Sequence, residues 1–193
     1  MKMRILALAT AAALGLGTVA GCSTTTSTAS GGSPMAKRES IDASVDAALS
    51  KLYQQVPGSR ELVAKSRGTL VFPSVLSAGF VVGGSYGEGA LRVGGLTNGY
   101  YSTAAGSVGL LAGADSKAVY VLFMTQEALD KFLASNKGWT AGADASVTLM
   151  SAGADAAVDT ATATKPIIGY VLTNGGLMAN LSIDGTKFTR LDL

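Results

Sequence analysis

Residues 69–93 read TLVFPSVLSAGFVVGGSYGEGALRV. Short runs of Val, Leu, Phe and Ala alternate with glycine, which predicts strands interrupted by turns rather than a helical stripe. Glycine inside a strand normally weakens it, so its recurrence at Gly79, Gly83, Gly84, Gly87 and Gly89, and again at Gly106, Gly109 and Gly113, points to bulges, bends or close backbone approach. A strongly curved antiparallel sheet or a closed barrel follows, and closure would remove the exposed edges that invite aggregation.

Outward toward the C-terminus the same texture continues. The strands expected are Thr69–Phe72, Ala78–Ser85, Gly89–Val93, Tyr100–Ala104, Val108–Ala112, Lys117–Met124, Thr140–Met150, Ile167–Leu172, Leu177–Ile183 and Thr186–Leu191. Asn98-Gly99, Asn174-Gly175-Gly176 and Asp184-Gly185 supply the positive-φ residues that tight hairpins need. One helix interrupts the strands from Gln126 to Ser135, capped by Thr125, with Glu127 in its first turn and Gly138 beyond its exit. Its Ala128, Leu129, Phe132 and Leu133 are expected to face the sheet.

Toward the N-terminus the period changes. From Ser40 to Val56, the residues Ile41, Val45, Ala48, Leu49, Leu52 and Val56 recur at steps of three and four, the mark of a helix with one apolar stripe. Pro57 and Gly58 stop it, and Ser59 is placed to cap a short second helix running to Ser66 with Leu62 and Val63 inward. The expected fold class is α+β, with N-terminal helices, a curved antiparallel sheet or barrel, and one inserted helix.

The first residues have a different purpose. Lys2 and Arg4 precede an apolar run from Ile5 to Leu16, and Val19, Ala20 and Gly21 lead directly to Cys22. Basic, apolar and small residues in that order form a secretory signal, and the run is shorter than the ~20 residues a spanning helix needs. The sequence VAGC resembles the lipobox of bacterial lipoproteins. That resemblance implies removal of residues 1–21 and acylation of Cys22, an anchor of more than one chain and hence stable. Ser23 at the next position is similar to the sorting signal for the outer membrane. Residues 22–36 are rich in Ser, Thr and Gly and read as a tether, with a typical reach of about 20 Å at roughly 5–6 Å times the square root of its length. Residues 37–193 are then the domain.

Composition removes several functions. The formal net charge of +2 includes Lys2 and Arg4, so loss of the signal leaves Lys plus Arg equal to Asp plus Glu and no bulk electrostatic case for nucleic acid. There is no His, and Cys22 is the one cysteine. The chain therefore has no Ser-His or Cys-His nucleophile, no imidazole base and no zinc site of nitrogen and sulfur ligands. It is expected to be neither an enzyme nor a metal or cofactor carrier. GGSYG at Gly83–Gly87 fits the nucleophile-elbow spacing, yet Ser85 has no base and sits between strands, so a structural bend is the reading preferred. Glu88 would need a second carboxylate, such as Asp115, Asp144 or Asp155, across a cleft.

Lys37, Arg38, Lys51, Arg60, Lys65 and Arg67 gather next to the tether against Glu39, Asp42, Asp46 and Glu61, leaving that segment basic. Near an anionic leaflet each basic side chain contributes about 1 kcal/mol within a Debye length, so these six are the expected lipid-binding residues; a solvated helix face is the alternative. Trp139, Tyr100 and Tyr101 could sit at headgroup level, although core or rim packing is expected.

Several blocks, in order, resemble the SYLF domain family: LVFPSV from Leu70, AGFVVGGSYGEG from Ala78, AGSVGLLAGADSKAVYVLF from Ala105, GADASV from Gly142 and GYVLTNGGLMANLSIDG from Gly169. The resemblance runs from about Leu62 to Leu191. It implies a lipid-binding domain, with phosphoinositide recognition in eukaryotic members. Members often carry Lys, Arg and Ser where this chain has Ser77, Ser85 and Glu88, and an aromatic where it has Met178. The function expected is a non-catalytic envelope lipoprotein that binds membrane phospholipids; the alternative is an interaction lipoprotein whose domain meets a protein partner. Oligomeric state is left open.

Overall fold

The computed structural model describes residues 33–79, 82–108, 113–135, 137–150, 164–174, 176–177 and 182–193. The signal peptide, Cys22, the tether up to residue 32, Gly109, Asp155, Met178 and parts of two expected strands, 109–112 and 178–181, lie outside them. The described elements are helix α1 (Pro34–Gln55), helix α2 (Ser59–Lys65), strands β1 (Gly68–Gly79), β2 (Val82–Val93), β3 (Leu96–Val108) and β4 (Gly113–Phe123), helix α3 (Gln126–Leu133), and strands β5 (Trp139–Thr140), β6 (Thr148–Leu149), β7 (Ile167–Thr173), β8 (Gly176–Leu177) and β9 (Lys187–Leu191).

Helix α1 begins six residues before the expected start at Ser40. Pro34 sits in its first turn, where a missing N–H costs nothing, and the Ser33 hydroxyl caps Ala36 N at 3.3 Å. The predicted stripe is the buried one: Ile41, Val45, Ala48, Leu52 and Val56 are all removed from solvent, and Leu49 is half-buried. Ser59 is not the cap of α2, as expected, but its first residue. Gly58, at φ 77°, makes the turn, and the buried Ser59 hydroxyl donates to Val56 O at 2.6 Å and Leu52 O at 3.2 Å, tying α2 to the end of α1.

The strands form one nine-stranded sheet in the order β5-β9-β3-β2-β1-β4-β7-β6, with β8 paired to β7. It curls strongly into a half-barrel. Among the described residues the path stays open, so the closed-barrel alternative does not hold; the outermost strands, β5 and β6, are only two residues long, which limits the edge available for mispairing. Among the described strands every pairing is antiparallel except β6 with β7. Paired β1 and β2 lie between β3 on one side and β4 on the other, so four long strands run side by side.

Three expectations change. Ala78–Ser85, expected as one strand, spans the end of β1 and the start of β2. Asn98-Gly99 is not the β2-β3 turn: Gly94 and Gly95, at φ 59° and 83°, make a two-residue hairpin whose hand matches strand twist. Asn98 is instead the extra residue of a bulge, because Leu91 pairs with Gly99 while Arg92 pairs with Thr97. The expected strand Thr140–Met150 is divided by a turn in which Asp144 Oδ2 accepts from Thr140 N at 2.6 Å and Gly142 adopts φ 84°.

Pro73 lies within the central strand β1, where it cannot complete a ladder bond. The register shifts around it on both sides, from Val71 to Ser74 against β2 and from Phe72 to Val75 against β4. A bulge is where a sheet tolerates proline.

Side chains alternate between two faces. Val71, Ala90, Tyr120, Leu122, Ile168 and Tyr170 point toward α1 and α2, whereas Leu70, Phe72, Leu91, Val121, Phe123 and Ile167 join α3 and the segment from Trp139 on. On that second side Phe123, Phe132, Trp139 and Phe188 stack, tilt or meet edge to face at 4.8 to 6.4 Å between centroids. The buried side chains of α3 are Leu129 and Phe132, with Ala128 and Leu133 packed alongside, as expected.

Candidate functional site

The six basic residues do not converge on one cavity. Lys37, one turn into α1, gives its ammonium to Glu88 Oε1 at 2.9 Å. Arg38 is exposed, makes no ion pair among the described residues, and lines a groove with Tyr100, Arg190 and the C-terminus. Lys51 borders a separate groove of about 320 Å³ beside Ser116, Lys117 and Thr173. Arg60 lies over the Tyr53 ring at 4.4 Å and lines a third cavity, of about 390 Å³, between α1, α2 and the Gly94-Gly95 turn. Lys65 and Arg67 are exposed at the exit of α2. The segment is thus a basic belt along two helices, not a headgroup pocket.

Arg92, which sequence reasoning passed over, is the polar hub on the α1 side. Its guanidinium reaches Asp46 Oδ1 at 2.7 Å, Asp42 Oδ1 at 3.4 Å and the Asp42 carbonyl at 3.3 Å, and it also donates to the Thr97 hydroxyl. Thr97 in turn donates to Asp42 Oδ1, and Tyr100 Oη donates to Asp42 Oδ2, at 2.7 and 2.8 Å. Burial, together with that carboxylate, holds the Tyr100 hydroxyl above the usual phenol range. Two helix carboxylates, one strand cation and two hydroxyls therefore clamp α1 across β2 and β3.

In the glycine-rich strands, Ser85 lies mid-strand in β2, paired with Ser77 and Ala105. It is not at a strand-to-helix turn. Glu88 is taken by Lys37 and by Tyr86 Oη, which donates to the same Oε1 at 2.9 Å. Asp144 serves the Thr140 turn. Among the described residues there is no group of three or more acidic or thiol side chains able to hold a metal, and no helix is long and apolar enough to cross a membrane.

Of the aromatic residues considered for a headgroup interface, Trp139 and Tyr101 are core residues, and Tyr100 is occupied with Asp42. The exposed large apolar side chains are elsewhere: Met35 near the start of α1, Leu96 beside the hairpin turn, and Leu76, Val82 and Tyr86 at the far ends of β1 and β2. Sequence reasoning did not find this last group, because its residues sit in strands whose other halves are buried.

Residues 104–192, from the end of β3 to the C-terminus, match the family model described as Ysc84, the Las17-binding protein actin regulator. Helices α1 and α2 and strands β1 and β2 precede the matched segment. No curated protein matches the chain.

Proposed function

With residues 104–192 identified with the SYLF family, we propose that this chain is a non-catalytic envelope lipoprotein, acylated on Cys22 and held at the outer membrane, whose domain binds phospholipid. The family match carries the lipid-binding part of this reading. Anchoring is supported by the order of basic, apolar and small residues that ends in the one cysteine of the chain.

The basic belt supplies the long-range attraction. Arg38, Lys65 and Arg67 are exposed and contribute about 1 kcal/mol each near an anionic surface, whereas Lys37 is already committed to Glu88 and adds less. Lys51 and Arg60 are at the rims of their grooves and assist only if the helices lie along the membrane. Such attraction fades within a Debye length and weakens with salt. It therefore orients a domain that is already tethered.

The mature chain without its acyl group should co-sediment with phosphatidylglycerol vesicles at low salt, and more weakly at physiological salt. Absence of sedimentation at both would remove lipid binding and leave a lipoprotein whose domain meets a protein partner.

A further inference from the structure

We propose that the uncovered ends of β1 and β2, on the side of the sheet that carries α1, dip into the same bilayer that holds the anchor. This rests on the lipid-binding reading and specifies which surface makes the contact. Leu76 and Tyr86 are cross-strand partners, 62 % and 52 % exposed, and they line a groove with Ser40, Ile41 and Ser44 of α1. Val82, 72 % exposed, shares their face, because the β2-β3 register is unbroken from Val82 to Glu88 and side chains alternate. Glu88, on the same face, is the residue held by Lys37 of α1. Between and beside the three apolar side chains stand Ala78, Gly84 and Ala104, and the exposed Lys187, which pairs with Ala104 two strands from Tyr86, puts a cation at the rim of the same face.

Three features select a bilayer as the occupant. The first is the tether: eleven residues separate Cys22 from Pro34, a chain that spans at most ~40 Å when extended. It joins α1 one turn before Lys37, whose ammonium shares the Glu88 carboxylate with Tyr86. The face therefore stays within reach of the membrane. The second is backbone chemistry. Strands β1 and β2 are flanked by β4 and β3, so their N–H and C=O groups are paired and the face can approach hydrocarbon without leaving them unsatisfied. The third is size. Three side chains amount to a few hundred Å², well below the ~800 Å² per partner of a stable protein interface. A bilayer sets no such minimum once an anchor supplies high local concentration. Tyr86, its phenol hydrogen-bonded to Glu88 and its ring exposed, has the amphipathic character favoured at headgroup depth.

The test uses the full acylated protein reconstituted into vesicles of phosphatidylethanolamine and phosphatidylglycerol. Acylation consumes the Cys22 sulfur as a thioether, so an introduced cysteine is the sole free thiol. Val82→Cys and Tyr86→Cys, labelled with a polarity-sensitive fluorophore, should shift to the blue and be quenched by nitroxide lipids. The same label at Gln54→Cys, exposed near the other end of α1, should stay aqueous. If 82 and 86 remain aqueous while a label at Lys65→Cys responds, the inference falls and lipid binding through the basic belt survives. If none responds, both fall, and a response only on adding envelope extract would mark a protein partner instead. Labelling of the parent protein at Cys22 would overturn the anchor itself. In the unacylated chain, Val82→Asp should weaken vesicle affinity about tenfold or more with an unchanged melting temperature, since the position is exposed.

Discussion

Gly89 has no space for a methyl group. A Cβ there would be driven into the Val71 carbonyl oxygen, and one at Gly87 would come within 2.6 Å of Ser74 O, because β1 bulges toward both at Pro73. Gly89→Ala should therefore cost about 1–3 kcal/mol or more, read as a lowered midpoint in urea. Gly106→Ala, where nothing lies within 4 Å, should move it little. The run of glycines was legible as a sign of close approach, but not which glycine meets which backbone. That depends on a proline sixteen positions before Gly89, brought opposite by the hairpin. Arg92 gave no signal for a similar reason: its partners Asp42 and Asp46 lie on a helix about fifty residues earlier, and nothing in the local pattern of a strand marks one arginine as a hub.

Among the elements, α1 was the clearest to read, because a helix buried on one side writes its own period into the sequence. Val45 and Leu52 on that stripe are fully buried, and Tyr120 Oη donates to Ala48 O at 2.8 Å from the sheet beneath. Leu52→Ala should cost about 2–5 kcal/mol through lost contacts and the cavity left behind. Gln54→Ala, on the exposed side, should leave thermal unfolding nearly unchanged, as most surface substitutions do. Helix α3 was equally legible: Thr125 caps Ala128 N at 3.2 Å, and Glu127 pairs with Lys131 one turn on, which keeps the Glu127 carboxyl below its ordinary range. The strands were harder. The apolar texture of AGFVVGGS carries on from β1 into β2 with no turn residue to mark the boundary, and a glycine pair at 94–95 takes the β2-β3 turn in place of the more familiar Asn98-Gly99.

The whole molecule has no histidine, and the strongly displaced groups among the described residues are tyrosines. Burial pushes Tyr170 up to about 12 and Tyr120 higher still. A raised phenol pKa means the folded state holds its proton longer than the unfolded chain. Stability is therefore intact below pH ~10, the phenol's ordinary value, and declines as pH rises from there through the folded values, by on the order of 1.4 kcal/mol per pH unit for each tyrosine. Denaturant midpoints should be nearly flat from about pH 6 to 8, the range in which histidine is the side chain that ordinarily changes charge, and should fall above about pH 10. A steep change near neutrality would contradict this. Sequence alone determined what depends on local order and on what is missing: the signal-like start ending at Cys22, the amphipathic α1 and α3, the strand-rich remainder with its SYLF-like blocks, and the lack of an imidazole or a second thiol. Tertiary structure alone decided the open half-barrel, the Arg92 clamp, the dispersal of the basic residues along two helices, and the exposure of Leu76, Val82 and Tyr86. The reason is that period and composition act between neighbours in the chain. Which half of a strand is covered, and which charge finds a partner, is set by helices packed against it from distant positions.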